Sequence, residues 1–249
     1  MTRPSVYPVG DPVGFPGCSK CPYFRSGPPQ TCLDCASHTI NSIASAACAV
    51  CGQVLADGGC PNWLCSDPSR RISRIRAIAY HTGPLRDTII QYKYGGLKDW
   101  SMIFGRLLLA WLEENARDDR PDIIVANPTY LAPNRAQIRH TEFVIESAER
   151  EDILKTWPFD ISEPRTLLKI HDTPRTARTS APNKRAIARQ LRESLRACPN
   201  SLFKGQHVLV YDDVCTTGSQ LNAAAEYLID DVGAKRVEGV VLARARWNP

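Results

Sequence analysis

The sequence lacks the features that would place a chain in or across a membrane. No uninterrupted apolar stretch approaches the length of a membrane span, and the first residues, MTRPSVYP, lack the apolar core of a secretory signal peptide. We therefore expect no membrane span and a cytoplasmic location. The sequence also lacks a large net charge. A net charge of +5 over 249 residues favours phosphate-rich ligands but does not by itself indicate a nucleic-acid-binding protein.

Length and proline content predict three regions. Residues 1–17 contain four prolines at regular intervals and are expected to form a disordered tail. Residues 18–70 are rich in cysteine and form a small module of their own. Residues 71–249 are numerous enough for one α/β domain with a full hydrophobic core.

Cysteine is in excess: eight of the ten cysteines lie between residues 18 and 65, mostly as C-x-x-C pairs. Each pair can hold one metal ion with two thiolates, and two pairs complete a tetrahedral site without an open position. In a cytosolic chain this spacing favours metal over disulfides. We predict a zinc-ribbon module with two structural zinc sites. The eight candidate ligands are Cys18, Cys21, Cys32, Cys35, Cys48, Cys51, Cys60 and Cys65.

The pairing of these ligands has two solutions. In the simpler one, the four cysteines at 18–35 bind one ion and the four at 48–65 bind the other. An interleaved arrangement, in which the first and third pairs share an ion, is also compatible with the spacing. Disulfides or unrelated buried thiols remain the competing interpretation, and such a module either contacts nucleic acid or a protein or serves only packing.

The chain is organised around residues 208–221, VLVYDDVCTTGSQL. Four apolar residues predict a buried strand that ends in two acids, Asp212 and Asp213. A short hydroxyl-rich turn follows, and apolar residues then recur at helical spacing. Unpaired N–H groups and the helix dipole favour an anion at such a helix start, and glycine allows a close approach. The candidate phosphate-binding residues are Thr216, Thr217, Gly218 and Ser219.

Two adjacent carboxylates repel a bare phosphate, so the ligand should present hydroxyl groups beside it. A ribose 5-phosphate unit satisfies this, because acids accept hydrogen bonds from a vicinal diol. The stretch resembles the phosphoribosyl pyrophosphate (PRPP) motif of type I phosphoribosyltransferases. That resemblance implies that Asp212 and Asp213 hold the ribose hydroxyls, while the turn holds the 5′-phosphate. An ordinary strand and helix joined by a capped polar turn is the alternative.

Strands and helices alternate through the remainder of the domain, which predicts a doubly wound parallel α/β sheet with the motif on a central strand. Strands are expected at 74–80, 122–128, 166–170, 208–211 and 237–243. Helices are expected at 85–94, 102–116, 141–154, 183–195 and 221–232.

Three basic residues are candidates to neutralise the departing pyrophosphate. Lys93 ends a predicted helix just before two glycines, a position that the helix dipole alone would also favour. Arg175 and Arg178 lie in a proline-flanked segment, 171–182, which is expected either to close over the ligand or to form a solvated connection. Cys215 has no identifiable base beside it and is interpreted as a small loop residue.

The layout as a whole, a cysteine-paired module followed by YHTGPLRDTIIQYKYG at 80–95 and then the acidic motif, resembles the ComF family. Its members combine a zinc module with a phosphoribosyltransferase domain, and some are needed for uptake of single-stranded DNA. The resemblance covers nearly the whole chain after the tail and assigns Lys93 to the family's Lys-Tyr-x-Gly element. Segments 127–142 and 173–176 depart from the family pattern. These segments belong to the half of the site that would select the acceptor, so that half differs from the half in the family.

These observations predict a phosphoribosyltransferase that binds PRPP with Mg²⁺. A nitrogenous acceptor would displace pyrophosphate through an oxocarbenium-like state, stabilised by positioning and by the acid pair. The alternative is a non-catalytic PRPP-binding accessory protein of single-stranded DNA uptake, whose zinc module contacts DNA or a partner. Its sequence support is a cluster of Arg70, Arg71, Arg74 and Arg76 beside the module.

Overall fold

Strands and helices alternate along the chain. The computed structural model describes residues 41–44, 46–55, 59–96, 98–130, 139–173, 181–198 and 202–246. The strands are β1 Ile75–Tyr80, β2 Ile123–Ala126, β3 Leu167–Lys169, β4 Leu195–Ala197, β5 His207–Cys215 and β6 Arg236–Arg244. The helices are α1 Trp63–Ser66, α2 Gly83–Tyr94, α3 Trp100–Asn115, α4 His140–Glu151, α5 Ala181–Ser194 and α6 Ser219–Glu226, and a π-helical turn, Tyr227–Asp231, extends α6.

Four strands form a parallel sheet in the order β1-β6-β5-β2. The strand that carries the acidic motif, β5, is central, with β6 on one side and β2 on the other. Parallel strands end at a common edge, so the carboxyl ends of β2 and β5 lie side by side. The central position of the motif strand is confirmed.

Side chains of β5 alternate between two hydrophobic cores. Leu209 and Tyr211 pack with residues of α2, α3 and α4 on one face. Val208 and Val210 pack with α6 and with Phe203 on the other. Helices therefore cover both faces of the sheet, and the predicted doubly wound α/β fold is confirmed.

The positions of α3 and α4 depend on a close approach. A Cβ atom at Gly105 of α3 would lie 2.7 Å from the backbone nitrogen of Ala148 and 2.8 Å from the Cβ of Ser147, both in α4. Only glycine permits this contact. The two helices consequently pack tightly, which fixes the start of α4 at the edge of the sheet.

The predicted strand at 166–170 forms, but it does not join the parallel sheet. β3 pairs with β4 in a separate antiparallel ladder that matches Lys169 with Leu195. Leu195 continues the apolar period of α5 and was therefore predicted as helical. The structure instead ends α5 at Ser194, whose carbonyl oxygen accepts a hydrogen bond from the backbone nitrogen of Ile170 at 2.8 Å.

The four arginines that follow the cysteine module all have partners within the chain. Arg70 donates to a backbone carbonyl at 3.2 Å, and Arg71 pairs with an aspartate at 2.9 Å. Arg74 and Arg76 both contact Glu238, at 2.8 and 3.3 Å. These pairings weaken the argument for a basic nucleic-acid surface at this cluster.

No helix within the described ranges combines the length and hydrophobicity needed to cross a bilayer.

Candidate phosphoribosyl-binding site

A cavity of about 650 Å³ opens at the carboxyl ends of β2 and β5. Its walls come from the end of α2, the start of α4 and the segment after β3. The residues that line it are Lys93, Tyr94, Gly96, Asn127, Pro128, Thr129, Tyr130, His140, Thr141, Lys169, Asp172, Thr173, Leu191, Asp212, Asp213, Val214 and Gln220. Its lining is largely polar, as a site for a charged ligand requires.

The strand β5 is longer than the apolar run predicts and continues through Cys215. Asp212 and Asp213 therefore lie within the strand and not beyond its end, and Asp212 is in register with Val241 of β6. Asp212 accepts hydrogen bonds from the side-chain nitrogen of Asn127 at 3.0 Å and from the backbone nitrogen of Asp213 at 2.8 Å. The hydrogen bonds of the parallel sheet thus hold both acidic residues rigidly at the cavity.

Asp213 lies close to two side-chain nitrogen atoms. Lys93 Nζ lies 2.6 Å from one carboxylate oxygen, and His140 Nε2 lies 3.1 Å from the other. Burial opposes ionisation of this carboxyl group, but Lys93 and His140 outweigh it and lower the pKa of Asp213. Burial likewise disfavours the ammonium of Lys93, yet its two acidic neighbours raise the pKa of Lys93. The structure thus places Lys93 at the acid pair.

Asp212 differs from its neighbour. Among the described residues no cationic group lies within salt-bridge distance of its carboxylate. Burial and the charge of Asp213 raise the pKa of Asp212 to about 7. Asp213 is therefore ionised at neutral pH, whereas Asp212 binds a proton more readily than an ordinary carboxyl group and can then donate a hydrogen bond.

The turn after β5 begins α6 with a left-handed residue. Gly218 has φ 85°, and a Cβ at this position would lie 2.5 Å from Ile75 Cδ1. The hydroxyl groups of Thr217 and Ser219 are buried and lie 2.8 Å apart, whereas Thr216 is exposed. The turn lines a shallow depression of about 20 Å³ beside Asp212. A phosphate would therefore rest against the turn and not inside it.

A cluster of four thiols lies behind the turn. The Sγ atoms of Cys48, Cys51, Cys60 and Cys65 all lie within 4.8 Å of one another. Hydrogen bonding from Cys65 lowers the pKa of Cys51 to about 4, and burial and the neighbouring thiols raise the pKa of Cys60 to about 11. Four sulfur donors this close fit one tetrahedral zinc ion.

This cluster corresponds to the second of the two predicted quartets, with neighbouring pairs combined. The interleaved arrangement is wrong for these four residues, because their sulfur atoms already form one group. The other predicted quartet, at 18–35, lies outside the described residues. Arg175 and Arg178 also lie outside them, as does most of the segment 171–182.

Sequence reasoning missed several residues of the cavity. His140 begins α4, Asn127 follows β2 directly, and Lys169 ends β3. Lys169 Nζ donates to Thr173 Oγ1 at 2.6 Å, and burial lowers the pKa of this lysine. Only Asn127 carried a positional signal, since polar residues just after a parallel strand are candidates to line such a site.

The parallel sheet, the acid pair on its central strand and the glycine turn into α6 define an α/β fold of the phosphoribosyltransferase kind. Residues 171–247 match the family model described as phosphoribosyl transferase domain. One matching solved structure is phosphoribosylpyrophosphate synthetase from Mycobacterium smegmatis, with 18% identity and a TM-score of 0.31. The match covers 57% of this chain and only 33% of the synthetase. No curated protein matches the chain.

Proposed function

We propose that this protein is a phosphoribosyltransferase, which binds PRPP with Mg²⁺ in the cavity and transfers phosphoribose to a nitrogenous acceptor with release of pyrophosphate. The observation that carries the proposal is the geometry at the end of β5. There, two rigidly held acids open onto a cavity of about 650 Å³, and the glycine turn lines a small depression beside Asp212. The family match over residues 171–247 supports the same assignment.

The ligand would lie across β5. Asp212 and Asp213 would bind the ribose hydroxyls, since Asp213 accepts hydrogen bonds and Asp212, with its raised pKa, can also donate one when protonated. The 5′-phosphate would bind Thr216, Thr217, Gly218 and Ser219 at the start of α6, where backbone N–H groups and the helix dipole favour an anion.

Charge stabilisation would then carry most of the reaction. Asp213 stays ionised and favours the positive charge that develops at the anomeric carbon. Lys93, together with Arg175 and Arg178, would neutralise the departing pyrophosphate. Mg²⁺ would be held mainly by PRPP oxygens with the acid pair close by, and it would supply further charge neutralisation.

The wall formed by the residues after β2 and by the start of α4 is the proposed acceptor site. Asn127 and Thr129 follow β2 there, and His140 lies 3.1 Å from Asp213. A carboxylate that orients an imidazole suits that histidine to take up the proton that the acceptor nitrogen loses. Because segment 127–142 departs from the ComF pattern, the acceptor is expected to differ from that of the family.

The cysteine cluster is proposed to hold one structural zinc ion. All four ligands are thiols, so the site would be saturated and would stabilise the module without taking part in the reaction. A second zinc ion at Cys18, Cys21, Cys32 and Cys35 remains a prediction from their spacing. Chelation of the zinc-loaded protein is expected to unfold the module before the α/β domain.

Calorimetric titration of PRPP and Mg²⁺ tests the proposal. The zinc-loaded wild type is expected to bind, and a variant with both Asp212→Asn and Asp213→Asn is expected to lose at least about 100-fold in affinity. A variant with Asp230→Asn and Asp231→Asn is the matched control, because these acids are also adjacent but lie on the π-helical turn away from the cavity. Failure of the folded wild type to bind would refute the proposal.

A second candidate function is that of a ComF-like accessory protein of single-stranded DNA uptake. The presence of a four-thiol cluster together with a phosphoribosyltransferase domain favours the ComF layout. Because the arginines at 70–76 are already paired, DNA would have to displace their partners or bind elsewhere. Binding that weakens steeply with salt would support this role, and binding that is weak at every salt concentration would contradict it.

A further inference from the structure

The turn that begins α6 is held from behind by two buried polar side chains. Asn62 donates from Nδ2 to the carbonyl oxygen of Thr217 at 2.8 Å. Arg244 donates from Nη1 to the carbonyl oxygen of Thr216. Asn62 is 1% exposed and Arg244 is fully buried, so neither bond competes with water. Both are strong anchors for the backbone of the turn.

These two bonds determine which way the turn presents its donors. In a trans peptide the carbonyl and the following N–H point in opposite directions. Because the carbonyls of Thr216 and Thr217 are directed back toward the cysteine module, the N–H groups of Thr217 and Gly218 are directed away from it. Successive N–H groups with one orientation form an anion-binding concavity. Asn62 and Arg244 therefore orient the donors proposed to bind the 5′-phosphate.

Both anchors are also connected to the metal site. Asn62 lies between the ligands Cys60 and Cys65, and it caps α1 by accepting from the backbone nitrogen of Leu64 at 3.2 Å. Arg244 Nη2 lies 3.6 Å from the Sγ of Cys51. Donors to metal-bound thiolates help to fix the orientation of the ligands. A metal ion that holds these cysteines thus also fixes the anchors.

Backbone and apolar contacts reinforce the connection. The carbonyl of Val50, between two of the cysteines, accepts from the backbone nitrogen of Ile75 at 2.6 Å. A Cβ at Gly218 would lie 2.5 Å from Ile75 Cδ1 and 3.2 Å from Leu64 Cδ2. The described part of the module is therefore packed directly against the turn and is not a separate appendage.

We propose that Asn62 and Arg244 are positioning residues that couple the metal site to the phosphate-binding turn, so that zinc and the 5′-phosphate each increase the affinity for the other. This inference rests on the proposed function, since it assigns the turn to the phosphate. Coupling between two binding sites is reciprocal, so it can be measured from either side.

The zinc side needs no variant. The partition of zinc between the full-length wild type and a chromophoric chelator is measured at equilibrium, with and without PRPP and Mg²⁺. Saturating PRPP is expected to raise the apparent zinc affinity by roughly tenfold. If the wild type binds PRPP and its zinc affinity is unchanged, the coupling is refuted while the proposed function stands. If PRPP does not bind, both are refuted.

The PRPP side uses Asn62→Ser, which keeps an N-cap oxygen for α1 but is too short to reach the turn. Its PRPP affinity is expected to fall roughly tenfold, and PRPP should no longer raise its zinc affinity. Asn115→Ser is the matched control, because its side chain donates only to the carbonyl of Trp111 at the other edge of the sheet. Wild-type PRPP affinity in Asn62→Ser would contradict the positioning role.

Arg244→Lys keeps the charge but loses the forked geometry of the guanidinium group. It should therefore also show weaker PRPP binding and no coupling between PRPP and zinc.

Discussion

The two edges of the parallel sheet both bury carboxylates, but they surround them differently. At the amino-terminal edge, Glu238 is almost completely buried and faces three guanidinium groups. Arg74 Nε lies 2.8 Å, Arg76 Nη2 3.3 Å and Arg236 Nε 3.6 Å from its oxygens. Positive charge therefore exceeds negative charge around this acid, and none of the arrangement requires a ligand to be complete.

At the carboxyl-terminal edge the balance is reversed. Two adjacent carboxylates share one lysine, and that lysine contacts only Asp213 at salt-bridge distance. Asp212 is left with hydrogen bonds from Asn127 and from a backbone nitrogen. Buried acid that the protein does not neutralise costs stability, and such costs concentrate at functional sites. The comparison indicates that one edge serves stability while the other is completed by a ligand.

Glu238→Gln should give the largest effect on stability. The substitution leaves Arg76 facing a neutral amide, while Arg74 and Arg236 keep only Asp119 as an acidic partner, and removing the buried acid of such a network costs about 3 kcal/mol. Urea denaturation of the zinc-loaded protein measures the loss. PRPP affinity of the folded variant should remain that of the wild type, because Glu238 lies at the opposite edge.

Asp87→Asn is the control for this variant. Asp87 pairs with Arg86 on the surface, where both side chains are more than half exposed, and the change should stay within about 0.5 kcal/mol. Loss of PRPP affinity in Glu238→Gln without loss of stability would break the comparison, because it would give the amino-terminal edge a functional role.

Lys93→Met should destabilise the protein by about 2 kcal/mol and also weaken PRPP binding. Asp213 has a lowered pKa, so its contribution to stability is present above the unfolded value near 4 and is lost as the pH falls below it. Lys93 has a raised pKa, so its contribution is lost only as the pH rises beyond about 10. The deficit of the variant should therefore be present by about pH 6, and it should grow as the pH rises through about 7, because Lys93 also lowers the pKa of Asp212.

Lys155→Met serves as the control for Lys93→Met. Lys155 also pairs with a glutamate, but its side chain is 59% exposed, so only a small change is expected. A deficit of Lys93→Met that was absent at pH 6 would contradict the pairing of Lys93 with an ionised Asp213.

Sequence was informative wherever the signal is local. The apolar run of β5, the acids, the turn and the start of α6 are contiguous, and the cysteine pairs have a characteristic spacing, so these features could be predicted. The hydrogen-bond partners of Asp212 and Thr217 could not be predicted. Asn127 is 85 residues from Asp212 along the chain, and Asn62 is 155 residues from Thr217. Such contacts depend on strand order and helix packing, which no local pattern specifies.

The strand β4 shows a different limit. Leu195 follows Ile187 and Leu191 at helical spacing, so period alone extends the helix through it. In the structure, hydrogen bonds to the segment around β3 make Leu195 part of a strand instead. Tertiary pairing outweighs a single turn of helix, because one turn contributes little on its own.

Asp212→Asn should change stability in the opposite direction, because its effect should be favourable. The folded pKa of Asp212 is about 7, above its unfolded value near 4, so the native state binds more protons than the unfolded chain between these values. Wild-type stability therefore falls as the pH rises through this range, and the asparagine variant escapes that loss.

Relative to the wild type, Asp212→Asn should gain about 2 kcal/mol between pH 5.5 and pH 8.5, a window in which the thiolate site can retain its zinc. Part of the gain is offset at every pH, because the amide accepts fewer hydrogen bonds than the carboxylate does from Asn127 and from the backbone. Urea denaturation across this window measures the difference, and a difference independent of pH would contradict the raised pKa. The variant should bind PRPP more weakly even where it is more stable. Higher stability together with weaker binding is expected only when the buried acid serves a ligand. Glu238→Gln should show the reverse, because it should lose stability and keep its PRPP affinity.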